Sequence, residues 1–226
     1  NKTYLKSLIG SGLAEKITVV PHGLNPQKFT PGQNLQNGIL LLSVGQLKMR
    51  KGFLELIEAC KTLRDQKVDF KCEIIGGGPL LSALQKKISL HSLEDRVTLT
   101  GALPNEEVLE RYKKATIFVM PCKVSENGDV DGIPNVLLES MAMTVPVIST
   151  RISAIPELIS DQENGILVEP NNHDELFEAI VSLINSPDKR AKLGKEGRKK
   201  VLADFNIDTN IDRFARTLWP ELFVSD

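Results

Sequence analysis

The chain has little of several features that mark particular classes of protein. Its three cysteines are odd in number and do not have the spacing of metal ligands, at Cys60, Cys72 and Cys122. We therefore expect free thiols in a reducing compartment. No apolar run approaches the length of a membrane span and no signal peptide is visible, so we expect a cytoplasmic protein. The net charge of −1 provides no overall field that would recruit nucleic acid or anionic lipid.

The residues that are present are typical of a globular protein in which strands and helices alternate. Hydrophobic residues make up 41% of the chain and charged residues 25%. Short apolar runs predict strands at residues 17–20, 39–44, 69–75, 96–99, 117–120, 145–150 and 166–168. The segments between them have the apolar spacing of helices. We therefore predict an α/β fold with a Rossmann-like parallel sheet and helices on both faces.

One segment, residues 129–139, combines groups that suit phosphate with groups that suit sugar hydroxyls. The apolar run at 117–120 predicts a strand before it, and Pro134 suits the first turn of a helix after it. The free N–H groups at the helix start would form an anion site, and they belong to Gly132, Ile133, Asn135 and Val136. Asp131 and Glu139 flank that site with hydrogen-bond acceptors. Because a nucleotide-sugar offers both phosphates and hydroxyls, the segment predicts a nucleotide-sugar site.

At this segment the chain resembles the retaining glycosyltransferases of family 4, also called group 1, which have the GT-B fold. The family pattern is similar to E-G-x-P-x-V-L-L-E-A-M-A, and this chain has D-G-I-P-N-V-L-L-E-S-M-A. The resemblance implies transfer of a hexose from a nucleoside diphosphate sugar with retention of configuration. It implies that Asp131, which replaces a Glu, contacts the donor sugar, that Glu139 contacts the ribose, and that Asp131 and Lys51 are catalytic.

A second loop, residues 45–52, resembles the family motif V-G-R-L-x-x-x-K-G, in which the Arg and the Lys bind the diphosphate. Lys51 matches that Lys, whereas Gln46 stands where the family has Arg. Gln has no guanidinium fork, so we expect Gln46→Arg to raise the affinity for nucleoside diphosphates unless Arg50 already supplies the charge. The donor site implied by the resemblance also includes three glycines, Gly45, Gly76 and Gly78. Helix N–H groups and Lys51 supply a positive field, so we expect neither a metal ion nor a cofactor.

Four loops that follow predicted strands are expected to converge, namely residues 45–52, 76–79, 128–135 and 151–156. The carboxyl ends of parallel strands share one edge of a sheet, where ligands of such folds bind. The glycine-rich turn at 76–79 does not meet the dinucleotide fingerprint, because Leu81 stands where the later glycine is needed. The last loop is similar to the family's G-G-I-P-E-L-V, with Ser153 and Ala154 in place of two glycines.

The resemblance also implies a domain organisation in which this chain is the C-terminal half of a GT-B enzyme. Residues 1–31, with a helix at 3–9, would be the end of the acceptor domain and the linker between domains. Residues 32–205 would bind the donor, and residues 206–226 would form a helix that crosses back to the other domain. The expected partners are the nucleotide-sugar and the absent N-terminal acceptor domain, through which alone the protein would contact a membrane peripherally.

Two flanking segments carry residues with open roles. His22 lies in a segment that resembles the family's linker, which favours a hydrogen-bonding or packing role over that of a catalytic base. Near the other end, Trp219 and Phe223 would cover an interface with the missing half. Without that half, we expect the chain alone to be inactive.

Three other interpretations of the chain remain open. Asp129 and Asp131 form a D-x-D motif, which would hold a divalent cation in a metal-dependent transferase of the other glycosyltransferase fold. A sugar epimerase or a phosphorylase with the GT-B fold would use a similar donor site. A noncatalytic nucleotide-binding module would need only the phosphate and ribose contacts. Binding of nucleotide-sugars, with and without a chelator, distinguishes the first of these from a metal-independent site.

Overall fold

The computed structural model describes residues 17–32 and 38–223, which are organised around a parallel sheet. Its six strands in these ranges are β1 Leu40–Val44, β2 Lys71–Ile75, β3 Val97–Gly101, β4 Ile117–Met120, β5 Val147–Thr150 and β6 Ile166–Val168. The order across the sheet is β3-β2-β1-β4-β5-β6, and every neighbouring pair is parallel. The predicted α/β fold with a Rossmann-like parallel sheet is therefore confirmed.

Helices connect the strands and cover both faces of the sheet. They are α1 Phe53–Asp65, α2 Leu81–Leu90, α3 Asn105–Lys114, α4 Asn135–Ala142, α5 Ile155–Leu158, α6 His173–Ile184, α7 Pro187–Asp204 and α8 Ile207–Leu218. Adjacent strand residues point to opposite faces, so Leu41 and Leu42 enter different cores. Helices α1, α2 and α6 close the first core, and α3, α4 and α5 close the second. Burial on both faces explains why these strands are continuous apolar runs.

Local sequence signals fix where the last three helices begin. The side chains of Asn172, Ser186 and Asn206 each accept a hydrogen bond from a backbone N–H in the first turn of α6, α7 and α8. Such caps satisfy N–H groups that have no partner inside the helix. These polar residues therefore set the register of helices whose apolar faces then pack on the sheet or, in α8, lie largely exposed.

The strand order creates a switch point beside β1. From β1 the chain winds to one side through β2 and β3, and it then returns to place β4 on the other side of β1. The loops that follow β1 and β4 therefore leave the same edge in opposite directions and open a crevice between them. In open parallel sheets this crevice is where ligands bind.

The apolar segment at 17–20 is not a strand, although the sequence predicts one. It pairs with none of the strands in the described ranges, and the nearby Leu24 forms an isolated bridge with Asn206. In that bridge, the Leu24 N–H donates to the Phe205 carbonyl at 2.9 Å and the Ile207 N–H donates to the Leu24 carbonyl at 3.1 Å. A short extended segment without a partner strand does not form a ladder, so β-propensity alone was insufficient here.

Two predicted helix boundaries also differ from the structure. Pro134 precedes α4 as its cap, with ψ of 127°, and the first helical residue is Asn135 rather than the proline. The helix expected within residues 206–226 spans Ile207–Leu218, and a 3-10 turn begins at Pro220, because proline cannot continue the hydrogen-bond ladder. The helix expected at 3–9 lies outside the described residues.

The terminal helix α8 presents an apolar face that the described part of the chain leaves uncovered. Ile211, Phe214 and Leu218 are exposed on it, and Trp219 and Phe223 are exposed beyond its end. The interface expected here, with the N-terminal acceptor domain, stays a prediction. None of the described helices combines the length and the apolar character that a bilayer span requires.

Candidate functional site

The loops after β1 and β2 are joined by backbone hydrogen bonds at the carboxyl edge of the sheet. The Gly45 N–H donates to the Ile75 carbonyl at 2.9 Å, and the Leu47 N–H donates to the Gly77 carbonyl at 3.0 Å. These bonds extend the pairing of β1 with β2 beyond the strands themselves. The first loop is therefore held in one conformation before it reaches its two cations.

The glycines of the 76–79 turn have a packing role that the sequence did not reveal. A Cβ added at Gly76 would lie 1.9 Å from the carbonyl oxygen of Gly45, and Gly76 has φ of 147°. At Gly78 an added Cβ would lie 2.7 Å from the Leu47 nitrogen. Both positions need glycine for contact between loops, and their contact with a donor stays a prediction.

The loop after β1 also packs against the loop after β4, across the switch point. The Lys123 N–H donates to the Arg50 carbonyl at 2.9 Å. Gly52, with φ of 73°, approaches so closely that an added Cβ would lie 1.8 Å from the Pro121 carbonyl oxygen. The structure therefore brings the loops after β1, β2 and β4 together, as the sequence predicts.

A cluster of two cations and two carboxylates forms where these loops meet. Arg50 Nε lies 2.8 Å from Asp131 Oδ1, and Lys51 Nζ lies 2.9 Å from Asp131 Oδ2. The second arm of the guanidinium reaches Asp129, with Nη1 2.7 Å from Oδ2. Lys51 is buried, which is unusual for lysine and is explained by its ion pair. The cluster thus ties two catalytic candidates, Lys51 and Asp131, to each other.

The electrostatics of the cluster keep its members charged. Burial raises the pKa of the Asp131 carboxyl, but the contacts with Lys51 and Arg50 lower it by more than burial raises it. The pKa therefore lies below its ordinary value. The Asp131 carboxylate in turn raises the pKa of Arg50. Opposite charges within hydrogen-bond distance favour the ionised form of each partner. Asp131 is therefore a carboxylate at neutral pH and cannot act there as a proton donor.

The N-terminus of α4 follows the loop that carries Asp131. Asn135 and Val136 begin the helix, so their N–H groups have no partner within it. Gly132 is exposed, and a Cβ added there would meet no protein atom within 4 Å. His22 Nε2 contacts Asn135 Oδ1, which matches the hydrogen-bonding role expected for His22. An open approach and free N–H groups give this helix end the properties of an anion site.

Glu139 lies one turn into α4 and is held by a residue that the sequence analysis missed. The buried Tyr112 hydroxyl of α3 donates a hydrogen bond to Glu139 Oε2 at 3.0 Å. Burial raises the pKa of the Glu139 carboxyl, and the hydrogen bond from Tyr112 opposes that shift in part. No local motif marks Tyr112, because only the packing of α3 against α4 brings the two side chains together.

Gln46 and the loop after β5, both expected near the donor, make no hydrogen bond or ion pair with the acidic cluster among the described residues. The Gln46 side chain is exposed, whereas the neighbouring Arg50 reaches the acidic cluster. In the loop after β5, Arg151 Nη2 lies 2.6 Å from Asp161 and its Nε lies 3.3 Å from Glu169. That loop leaves the same edge, but its charged residue pairs with the surroundings of β6.

The D-x-D interpretation meets a physical obstacle in the cluster. Arg50 contacts both Asp129 and Asp131, so the guanidinium occupies the position between the carboxylates that a cation would take. Among the described residues, no group of three or more His, Cys, Asp and Glu side chains is arranged to hold a metal ion.

Comparisons of sequence identify the group to which this arrangement belongs. The family model described as "Glycosyl transferases group 1" matches residues 26–200. The amylovoran biosynthesis glycosyltransferase AmsK of Erwinia amylovora is 35% identical over 209 residues, which are 91% of this chain and 51% of AmsK. The chain spans about half the length of the curated relatives it matches.

Comparisons of structure agree with this assignment. The C-terminal domain of the group 1 protein LpcC from Francisella tularensis superposes with a TM-score of 0.72 at 26% identity, over 82% of this chain and 100% of that domain. Anabaena HepE in complex with UDP-glucose superposes with a TM-score of 0.82 at 20% identity, over 97% of this chain and 61% of HepE. Since the family model covers most of its length, the chain belongs to the group 1 glycosyltransferases.

Proposed function

We propose that this chain is the donor-binding half of a retaining hexosyltransferase that uses a nucleoside diphosphate sugar. The observation that carries the proposal is the ion pairing of Lys51 and Arg50 with Asp131, in the loop that leads into α4, at the switch point of the sheet. The similarity to LpcC, whose matched chain is a C-terminal domain, supports the assignment to that half. The UDP-glucose complex of HepE supports a nucleotide-sugar donor.

The diphosphate would lie between the loop after β1 and the start of α4. Lys51 and Arg50 offer charged donors there, and the N–H groups of Asn135 and Val136 add neutral donors and the helix dipole. In sugar transfer, negative charge builds on the departing diphosphate. Donors fixed in place before the reaction stabilise that charge without reorganisation. Lys51 is the strongest candidate for this role because it is buried and already oriented.

The carboxylates would bind the hydroxyl-bearing parts of the donor. Asp131 lies beside the cations, where the sugar attached to the second phosphate would sit. Glu139 lies one turn further along α4, where it would accept hydrogen bonds from the ribose. Transfer would proceed with retention of configuration, with Asp131 orienting the sugar as a carboxylate rather than donating a proton.

Donor binding must overcome the internal ion pairs of the site. Arg50 and Lys51 carry two positive charges, and Asp129 and Asp131 carry two negative charges that balance them. A diphosphate therefore competes with the carboxylates for the N–H groups of Arg50 and Lys51. Because Asp129 is half exposed, its contact is the one that costs least to break. We expect the donor to displace Asp129 from Arg50 and to leave Asp131 in place.

Calorimetric titration of UDP, GDP and ADP into the 226-residue chain tests the proposal. We expect at least one of them to bind in the presence of a chelator. Lys51→Ala should weaken that binding by a factor of about 10 to 100, the range for loss of a charge-assisted hydrogen bond. The matched control is Arg151→Ala, which removes a cation from the loop after β5 and should leave the affinity unchanged.

Three outcomes would contradict the proposal in different ways. Absence of binding by all three nucleotides would reject the donor site itself. Binding that disappears on chelation would favour the metal-dependent D-x-D alternative. An equal loss in Lys51→Ala and Arg151→Ala would show that the diphosphate responds to general charge and does not contact the loop after β1.

A further inference from the structure

We propose that Tyr112 is a positioning residue that aims the Glu139 carboxylate at the ribose of the donor. The inference rests on the proposed function and adds a residue outside the motifs that carry it. Tyr112 belongs to α3 and Glu139 to α4, and the hydroxyl lies 3.0 Å from Oε2.

The tyrosine ring is immobilised before it reaches Glu139. Tyr112 is only 1% exposed, and its ring packs against the buried Phe118 of β4 with centroids 5.8 Å apart. A side chain with so little freedom presents its hydroxyl at one place. Glu139, by contrast, has three rotatable bonds and only partial burial, so it needs an external partner to hold one rotamer.

The hydroxyl has a choice of acceptor, and it favours the carboxylate. The Val136 carbonyl lies 3.4 Å from the Tyr112 hydroxyl, near the limit of a hydrogen bond, whereas Glu139 Oε2 lies at 3.0 Å. A neutral acceptor on the backbone would satisfy the hydroxyl if that were the only requirement. A carboxylate at this partly buried place costs solvation free energy, which a role in ligand binding would explain.

The contact leaves one carboxylate oxygen for a ligand. Tyr112 binds Oε2, and among the described residues no protein donor hydrogen-bonds to Oε1. The Tyr112 hydroxyl also opposes the effect of burial on the pKa of Glu139, so it helps to keep the acceptor ionised. Within the described chain, burial and Tyr112 are the influences that act on this carboxyl. The free oxygen is therefore oriented, and the Tyr112 hydroxyl favours its charged form.

The test compares ribonucleoside and 2′,3′-dideoxynucleoside diphosphates of one base in calorimetric titrations. The dissociation constant of the dideoxynucleotide divided by that of the ribonucleotide is the ratio that measures how much the ribose hydroxyls contribute to binding. Tyr112→Phe keeps the ring and removes the hydroxyl, and it should lower this ratio about fivefold, the size of one net hydrogen bond. Glu139→Gln should lower it at least as much. Leu176→Ala, which loosens the core on the other face of the sheet and leaves Tyr112 and Phe118 intact, should lower the melting temperature and preserve the ratio.

The pH dependence gives a second readout that a purely structural role would not move. In the parent chain the ratio should fall as the pH drops and Glu139 is protonated. In Tyr112→Phe that fall should begin at a higher pH, since the hydroxyl no longer favours the carboxylate. A variant with the parent's ratio and the parent's pH profile would overturn the inference and leave the proposed donor site intact.

The remaining outcomes are also decisive. If Glu139→Gln keeps the parent ratio, Glu139 does not bind the ribose and the inference fails with that assignment. If the parent binds neither nucleotide, the proposed function fails first. If Tyr112→Phe does not fold, fluorotyrosine can be incorporated into the Tyr4→Phe variant instead. Because the chain has two tyrosines, Tyr112 is then the one labelled position. Its fluorine resonance should shift with the ribonucleotide and not with the dideoxynucleotide, and equal shifts would reject the inference.

Discussion

The loop after β1 and the loop after β5 leave the same edge of the sheet, yet only the first forms part of the acidic and basic cluster. Residues 45–52 carry Arg50 and Lys51 to Asp131, across the switch point. Residues 151–156 carry Arg151, which pairs with Asp161 beside its own neighbour β6. Two loops that each resemble a family motif thus differ in the direction that their cations take.

Strand order explains this difference. The loop after β1 borders the point where the chain changes side and contacts the loop after β4 there, so its charged side chains reach that loop. The loop after β5 lies between β4 and β6, both of which continue in the same direction. Its charged residue Arg151 pairs with Asp161 and Glu169, which lie on either side of β6. Position relative to the switch point therefore accounts for the direction in which the cations of each loop point.

The largest expected effect is on the free energy of unfolding, and it differs strongly between the loop after β1 and the loop after β5. Gly52→Ala should lower the free energy of unfolding by about 3 kcal/mol or more, because φ is 73° and the new Cβ would lie 1.8 Å from the Pro121 carbonyl. Ser153 has φ of 50° in the other loop, so Ser153→Gly relieves strain and should change stability by less than about 1 kcal/mol.

Urea denaturation of both variants measures this contrast. Gly132→Ala is the matched control for Gly52→Ala, since an added Cβ at Gly132 meets no protein atom within 4 Å. A mild effect of Gly52→Ala, similar to that of Gly132→Ala, would show that the loops after β1 and β4 can separate at no cost in stability. Their contact would then not hold Lys51 in a fixed position.

The sequence predicted the fold because the fold depends on local patterns, whereas the roles of the candidate site residues stay predictions. Continuous apolar runs located the strands, and the motif at 129–139 located the start of α4 to within one residue. The direction of Arg50 and the contact of Tyr112 with Glu139 depend on packing between segments far apart in the chain. A single sequence carries no signal for such contacts, just as it could not show that residues 17–20 pair with none of the described strands.

The ion pairs of the cluster predict a stability effect that depends on pH. Asp131→Asn leaves Arg50 and Lys51 without their shared partner and should cost about 1–2 kcal/mol at pH 7. The pKa of Asp131 is lowered in the folded state, so its contribution is complete above the unfolded value and is lost as the pH falls through the folded value.

Thermal unfolding of parent and variant across the acid range tests this sign. The difference between them should be largest near pH 7 and should shrink below about pH 4, the ordinary range of an Asp carboxyl. In the other loop, Asp161→Asn breaks the pair with the half-exposed Arg151 and serves as the comparison. A difference for Asp131→Asn that stays constant down to pH 3 would mean that its carboxylate does not stabilise the fold through charge.

A smaller effect is expected when Arg50 is released from its outer partner. Asp129→Asn should tighten nucleoside diphosphate binding about threefold, because Asp129 is half exposed and such pairs are worth little. Glu126→Gln is the matched control, since it removes the same charge from an exposed position in the same loop. Equal tightening by both would indicate a general charge effect, and weaker binding by Asp129→Asn would show that Asp129 itself supports the donor site.

The smallest effect is expected at Gln46, where the sequence alone predicts a gain in affinity from arginine. Gln46 is exposed and Arg50 already brings a guanidinium to the cluster, so Gln46→Arg in the parent should change diphosphate affinity less than about twofold. In an Arg50→Ala background the same substitution should restore about tenfold, because a charge-assisted donor is then missing. Calorimetry on all four proteins gives the coupling between the two positions. A coupling near zero, with Arg50→Ala alone harmless, would show that the diphosphate does not lie against this loop, and the contrast with the loop after β5 would lose its functional meaning.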